Sequence, residues 1–233
     1  MRGVFSPDEV AEIERQLQEL TESSISRLPP GSVHFEGAPT GAIKAIHSLE
    51  VASPFFSELG HDDRLMRQMD AIWPGAEIQS RDVMFFGKAA RSGSLTPPHQ
   101  DNGFHHLDPA EDLVCTISID ESTPENGALC VQRGSHKFGR LPHRPSGVIG
   151  FSQTLLEPLD PISYPEVRVC MRPGDVCLHH ANVIHYSGPN KTARSRRQLG
   201  IGYRTSRAKR DEAAWAKYQA ELNELYASTT VAT

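Results

Sequence analysis

Apolar residues recur at helical spacing near the start of the chain. Val10, Ile13, Leu17 and Leu20 fall on one face of a run opened by Phe5-Ser6-Pro7-Asp8-Glu9. Ser6 is placed to cap this helix, Pro7 suits its first position, Glu9 completes a capping box, and Phe5 precedes the cap as a staple for Val10. A second helical region is predicted over residues 53–72, entered through Ser53-Pro54 and interrupted near Gly60. The intervening LPPGSVHFEGAPTG reads as loop.

From Glu77 the pattern changes to short strands. IQSRDVMFFG, DLVCTISID, ALCVQRG, EVRVCMR, DVCLHHANVIHY and RQLGIGYRT are each of strand length, separated by turn clusters such as TPENG and RPGD. Leu113, Cys115, Ile117 and Ile119 alternate with Asp112, Val114, Thr116 and Ser118, as a strand with one core face would, although Val114 blurs the alternation. In RRQLGIGYR the same period puts Arg196, Gln198, Gly200 and Gly202 on one face, and Arg197, Leu199, Ile201 and Tyr203 on the other. Residues 208–227 return to good helix formers, and Trp73 and Trp215 read as packing for outer helices. Helices, many strands and a terminal helix predict an α+β fold around a β barrel or sandwich. No linker divides it, so residues 1–233 read as a single domain.

Composition narrows the class. A formal net charge of −5 gives no basic excess for binding nucleic acid, and no apolar run approaches the ~18 residues that span a bilayer. The opening MRGVFSPDEVAEIE has no signal-peptide stretch, which predicts a cytoplasmic protein. The four cysteines, at 115, 130, 170 and 177, form no C-x-x-C pair and are expected to be buried, reduced thiols. The sequence leaves the oligomeric state open.

Candidate chemistry centres on TPPHQDNGFHHLD at residues 96–108. His-x-Asp occurs here as His99–Asp101 and His106–Asp108, and once more at His61–Asp63. On a strand, residues i and i+2 share a face, so such a pair can hold one ion. His61–Asp63 sits in a charged turn entering a helix and reads as solvated; Asp108 is followed by a proline and reads as a turn. Pro97-Pro98 keeps the chain extended into His99, which makes His99/Asp101 the best pair. A third ligand from a distant strand is expected among His179, His180 and His185. Two histidines and a carboxylate leave adjacent positions on iron open to a cosubstrate and O2. A dicarboxylate cosubstrate needs a bidentate anchor, for which Arg194, Arg196 and Arg197 are at hand.

Four stretches, IHSLEVASPFFSEL, DVMFFGKAARSGSLTPPHQD, DLVCTISIDESTPENGALCVQRGSH and PGDVCLHHANVIHYSGPNKTARSRR, resemble in this order the phytanoyl-CoA dioxygenase family of iron- and 2-oxoglutarate-dependent oxygenases. The resemblance implies a double-stranded β-helix, a jelly-roll or cupin-like barrel, with helices flanking it at both termini. It implies Fe(II) held by His99, Asp101 and His185. Arg196, eleven residues after His185, would take the distal carboxylate of 2-oxoglutarate, with Met84 and Ser187 at further cosubstrate positions and Lys44 near another. It also implies O2-dependent oxidation of a C–H bond of a small molecule, releasing succinate and CO2. The related halogenases have a small residue where this chain keeps Asp101, which argues against halogenation. Two other classes stay open: a protein or peptide side-chain hydroxylase, and a non-catalytic 2-oxoglutarate- or metal-binding module. So do roles for His105, His106, His179 and His180.

The run after RGSH, KFGRLPHRPSGVIGFSQTLLEPLDPISYPE, shows little strand character and reads as a lid over the barrel mouth. Lys137, Arg140, His143 and Arg144 make its first part basic, which predicts an anionic or strongly polar substrate.

Overall fold

The computed structural model describes residues 1–37, 41–148 and 151–230. Helix α1 (Pro7–Glu19) starts as its sequence dictates: the Glu9 N–H donates to Ser6 Oγ at 3.3 Å and the Ser6 N–H to Glu9 Oε2 at 2.7 Å, closing the capping box. The second helical region is three short pieces, α2 (Leu49–Ala52), α3 (Pro54–Leu59) and α4 (Asp63–Ile72), with Asp62 capping α4. Their apolar sides, led by Leu49, Phe56, Leu65 and Met69, are buried together with Val10, Ile13 and Leu17 of α1.

The strands follow in chain order as β1 (Val33–Phe35), β2 (Ile43–Ile46), β3 (Ile78–Lys88), β4 (Thr96–His99), β5 (Leu107–Asp108), β6 (Asp112–Ser118), β7 (Leu129–Gln132), β8 (His143–Val148), β9 (Phe151–Leu155), β10 (Glu166–Val169), β11 (Val176–His180), β12 (His185–Ser187), β13 (Arg196–Thr205) and β14 (Lys209–Arg210). A one-turn helix α5 (Asn102–His105) follows β4, and α6 (Glu212–Thr230) follows β14. A six-stranded sheet runs β1-β2-β3-β13-β6-β11 and a four-stranded one β10-β7-β12-β4. All their pairings are antiparallel. These two sheets with flanking helices form the α+β architecture that the sequence pattern predicts, arranged as the jelly-roll that the family resemblance implies.

The large sheet works on both faces. Leu113, Cys115 and Ile117 of β6 join Leu199, Ile201 and Tyr203 of β13 in the core against the helices. Asp112, Val114 and Thr116 face the other way, lining a cavity between the sheets with Arg196 and Gln198. Val114 is therefore apolar on a cavity wall rather than on a solvent face, which is why it blurs the alternation. The N-terminus is tied down where Gly174 O accepts the Val4 and Phe5 N–H groups at 3.0 and 3.1 Å. Gly174 has φ +82°, and a Cβ there would lie 2.1 Å from Phe5 O, so the turn RPGD requires its glycine.

Four expectations need correction. The stretch read as loop between the helical regions contains β1, which pairs with β2 at the edge of the large sheet; its short Val33-His34-Phe35 run is hidden among prolines and glycines, and residues 38–40 lie outside the described residues. The run read as a lid contains the hairpin β8–β9, with His143 opposite Leu155, packed beside β4; its residues 149–150 lie outside the described ones. Cys115 and Cys130 are buried free thiols, but Cys177 is half-buried and Cys170, just past the end of β10, is exposed. The terminal helix begins at Glu212 rather than 208, because Lys209–Arg210 first pairs with β5. No helix among the described residues is long and apolar enough to cross a membrane.

Candidate active site

His99 ends β4 and His185 begins β12, and the two are cross-strand partners. Asp101 has left the strand: its backbone is already helical, as the cap of α5, so the turn rather than strand alternation brings its carboxylate round. One donor atom from each of His99, Asp101 and His185 lies within 4.8 Å of the others. His99 Nε2 and His185 Nε2 stand 3.7 and 3.5 Å from Asp101 Oδ1.

The tautomers follow from the neighbours. His99 Nδ1 lies 2.7 Å from Pro97 O and His185 Nδ1 3.1 Å from Val183 O. A carbonyl only accepts, so each Nδ1 carries the proton and, in the neutral ring, each Nε2 keeps a lone pair aimed at the third member. Burial holds both rings neutral, pushing His185 down to about 3 against the opposing pull of Asp101. At Asp101, burial favours the neutral carboxyl, but the hydrogen bond from His179 opposes it and the group stays below the usual carboxylate range. His179 Nε2 donates to Asp101 Oδ2 at 3.2 Å. That bond fixes the carboxylate's far oxygen and leaves Oδ1 facing the two imidazoles. Two neutral imidazole nitrogens and one ionised carboxylate, on fixed supports with one face towards a cavity, fit a divalent iron site.

The cavity, of about 510 Å³, is lined by all three residues and also by Met84, Ser187, Lys44 and Arg196. Arg196 is 4% exposed and donates to Gln198 Oε1 and Gly127 O at 2.5 and 2.8 Å, while its buried Nε has no protein partner. Burial lowers its guanidinium to about 10. Gly127, at φ +86°, is obligatory here: a Cβ would lie 2.5 Å from Gly188 O and 2.8 Å from Lys88 Cδ. Arg197 faces out, paired with Asp120 at 2.8 Å and Glu14 at 2.5 Å, so the alternation read along β13 is correct.

Lys88 is a member of this end that sequence reasoning missed, although it shares the period-two face of Met84 and Phe86. It is opposite Arg196 across β3–β13, 5% exposed, and its ammonium donates to Ser94 O. Burial, reinforced by the charges of Arg196 and Lys44, lowers it to about 7 from 10.5. A lysine depressed in this way costs folded-state stability in full below pH 7, and that cost fades as pH rises towards 10.5. Lys88→Met is therefore expected to raise the melting temperature of the ligand-free protein at pH 6, with the gain shrinking steadily in alkaline buffer. Scanning calorimetry across pH checks this; a pH-independent gain would mean the ammonium is not the source.

The other candidates disperse. His61 is exposed, bonded to Ser57 O at 2.9 Å beside the cap of α4. His105 lines the cavity and donates to Asp112 Oδ2 at 2.6 Å. His106 does not line it; its ring stacks on Tyr218 at 5.5 Å and takes a bond from Arg140. His179 faces the cavity and His180 turns away, its Nδ1 accepting the Asn182 N–H at 3.0 Å. The basic residues of the run read as a lid line no part of the cavity. Lys137, Arg140 and Arg144 are exposed, and His143 accepts the Gln100 N–H at 3.1 Å behind β4. Gln100 is itself clamped to Gly139 O and Asn182 O at 2.9 and 2.6 Å, which fastens the start of that run to the outside of the metal-site strand.

The family model described as phytanoyl-CoA dioxygenase matches residues 1–198. The chain belongs to the phytanoyl-CoA dioxygenase family. Among family relatives, a probable phytanoyl-CoA dioxygenase of Caenorhabditis elegans is 31% identical over 137 residues, 56% of this chain and 44% of the relative. A probable alpha-ketoglutarate-dependent hypophosphite dioxygenase of Stutzerimonas stutzeri is 28% identical over 212 residues, 87% of this chain and 73% of the relative. This chain thus spans less than half of the C. elegans protein. EctD from S. alaskensis, crystallised with 2-oxoglutarate and 5-hydroxyectoine, superposes with a TM-score of 0.71 at 23% identity, over 88% of this chain and 70% of that one. The epimerase SnoN from nogalamycin biosynthesis, crystallised with Fe3+ and alpha ketoglutarate, superposes with a TM-score of 0.69 at 20% identity, over 89% and 78%. At these identities the likeness to solved structures establishes the fold.

Proposed function

We propose that residues 1–233 form one Fe(II)- and 2-oxoglutarate-dependent oxygenase domain that oxidises a C–H bond of a small molecule. The observation that carries this reading is the triad: two neutral Nε2 lone pairs and an ionised carboxylate converge in one cavity with a buried arginine. His99, Asp101 and His185 would hold the iron, and Arg196, with Ser187 and Met84 beside it, would take the distal carboxylate of 2-oxoglutarate. When bound there, iron with 2-oxoglutarate and O2 supplies the oxidising equivalent for the substrate carbon, releasing succinate and CO2.

The chain's own residues do the rest. His179 keeps Asp101 ionised and correctly rotated through the bond to Oδ2. The Nδ1–H bonds to Pro97 and Val183 fix the imidazoles so that no rotation precedes binding. Phe104 packs its ring 5.5 Å from that of His99 and shields one side from water. A cavity of about 510 Å³ is of the size that suits small-molecule ligands rather than an extended peptide. The similarity to a probable hypophosphite dioxygenase and to the 5-hydroxyectoine-bound EctD fits a small-molecule role for this scaffold.

Anaerobic titration tests the reading. Protein loaded with ferrous iron is expected to develop a weak visible absorption band on adding 2-oxoglutarate, and on admitting air to form succinate. His185→Ala should show neither. A His185→Ala protein that keeps both would overturn the assignment.

A further inference from the structure

The cavity has a second cationic end that the cosubstrate reading does not use. Arg196 and Arg204 lie on the same face of β13, eight positions apart, a separation of about 26 Å at ~3.3 Å per residue. Across the sheet, Arg81 pairs with Gly202, Gly202 with Val114, and Val114 with His179, whose ring bonds Asp101. Arg204 and its partner Asp112 stand one row beyond. The arginines at 81 and 204 therefore flank the metal triad on the side away from Arg196. Arg210 of β14 completes the group, its guanidinium 4.6 Å over the Trp215 ring.

Arg81, Arg204 and Arg210 line the main cavity and also an adjoining depression of about 390 Å³, so they form the wall shared by the two. The facing carboxylates are Asp112 and Asp82. Asp112 is taken by Arg204 at 3.0 Å and His105 at 2.6 Å, and Asp82 by His47 at 3.0 Å and the Ser48 N–H at 2.7 Å. Arg81 and Arg210 have no carboxylate partner among the described residues. The side chain of Arg204 is 9% exposed, and the Nε atoms of Arg204 and Arg210 are buried without a partner. Arg204 is paired with Asp112, whereas Arg81, which is exposed, and Arg210, which is half-buried, keep guanidinium donors at the cavity wall that no carboxylate takes and that an anionic ligand would satisfy. Burial and the charges of Arg204 and Arg210 lower the Arg81 guanidinium, outweighing the opposing pull of Asp112 and Asp82.

We propose that Arg81, Arg204 and Arg210 form an oxyanion site for the substrate, so that the substrate is an acidic small molecule whose carboxylate or phosphoryl group docks there. The proposal rests on the oxygenase reading and names its substrate class. The forked geometry of arginine suits both head groups. It also relocates the source of anion selectivity: the exposed Lys137, Arg140 and Arg144 take no part, and the wall arginines do.

The test is calorimetric titration of the full chain with phenylphosphonate, benzoate and neutral benzyl alcohol, on the protein alone and after loading with Mn(II) and N-oxalylglycine. At least one anion is expected to bind saturably while the alcohol does not, and the stronger of the two anions identifies the head group. Arg81→Gln/Arg210→Gln should weaken that anion by at least about tenfold, and Arg81→Lys/Arg210→Lys by clearly less. On the protein alone, Arg196→Leu should leave the wall site's affinity unchanged. Equal binding by the glutamine variant, binding lost only with Arg196→Leu, or no saturable anion binding at all would overturn the proposal. Failure of N-oxalylglycine to bind would instead count against the oxygenase reading, while the titrations on the protein alone still decide the wall site.

Discussion

Asp101→Ala is expected to abolish turnover and to weaken ferrous iron by more than about a hundredfold, since losing even a partner that orients a ligand costs 10–100-fold. The two imidazoles are held by neighbouring strands and by their own Nδ1–H bonds to backbone carbonyls, so they stay in place when the carboxylate goes. What remains is a neutral two-nitrogen site with no charge to offset a dication in a buried setting. His185→Ala should be equally inactive. His179→Ala removes only the bond to Asp101 Oδ2 and should fall between these and wild type, with iron retained more weakly. His61, in the turn before α4, and Asp63, at its first position, lie away from the cavity, so His61→Ala and Asp63→Ala should change neither iron nor turnover. Colorimetric iron after anaerobic loading and gel filtration, run beside succinate formation, separates these cases. Stoichiometric iron in Asp101→Ala would remove Asp101 from the site.

What was legible in the sequence was what local rules govern. The capping box at Ser6–Glu9 acts within one helical turn, and the period-two face of β13 separates Arg196 from Arg197 whatever the rest of the chain does. The family motifs then carried His99, Asp101, His185 and Arg196 into one cavity. Illegible features depend on where distant segments fall. The run after RGSH follows a cavity strand directly, which suggested a lid, but Gln100 pins it behind β4, and its charges face solvent. Arg81 and Arg204 reach one wall because β3 and β13 pair with a register irregularity between Ile201 and Gly202, which no single-strand pattern announces. Asp101 acts with His99 through a turn, whereas the i, i+2 spacing brings such a pair to one face only on a continuous strand. Lys88 was within reach of the same alternation that placed Met84 towards the cavity.

Arg196→Leu is expected to raise the dissociation constant for 2-oxoglutarate by tenfold or more, a loss on the order of 2–5 kcal/mol for leaving a buried carboxylate without its cation. Two of the guanidinium's protein bonds go to neutral acceptors, Gln198 Oε1 and Gly127 O, and its Nε has none, so no protein anion competes for it. Lys88 stands opposite and would supply a residual positive charge, so affinity should fall rather than vanish, and Lys88→Met/Arg196→Leu should fall further. The ligand-free Arg196→Leu protein should melt no lower than wild type, because leucine replaces an uncompensated buried charge. Arg197→Leu should do the reverse. It breaks the pairs with Asp120 and Glu14, half-exposed contacts worth about 1 kcal/mol or less, so the melting temperature should drop slightly while 2-oxoglutarate affinity is unchanged. Fluorescence-quench titration with Mn(II) and 2-oxoglutarate gives the affinities, and thermal melts of the same samples give stability. Comparable losses of affinity in the two variants would mean that the face of β13 turned to the cosubstrate is not the one carrying Arg196, since a shift of one residue exchanges the two arginines.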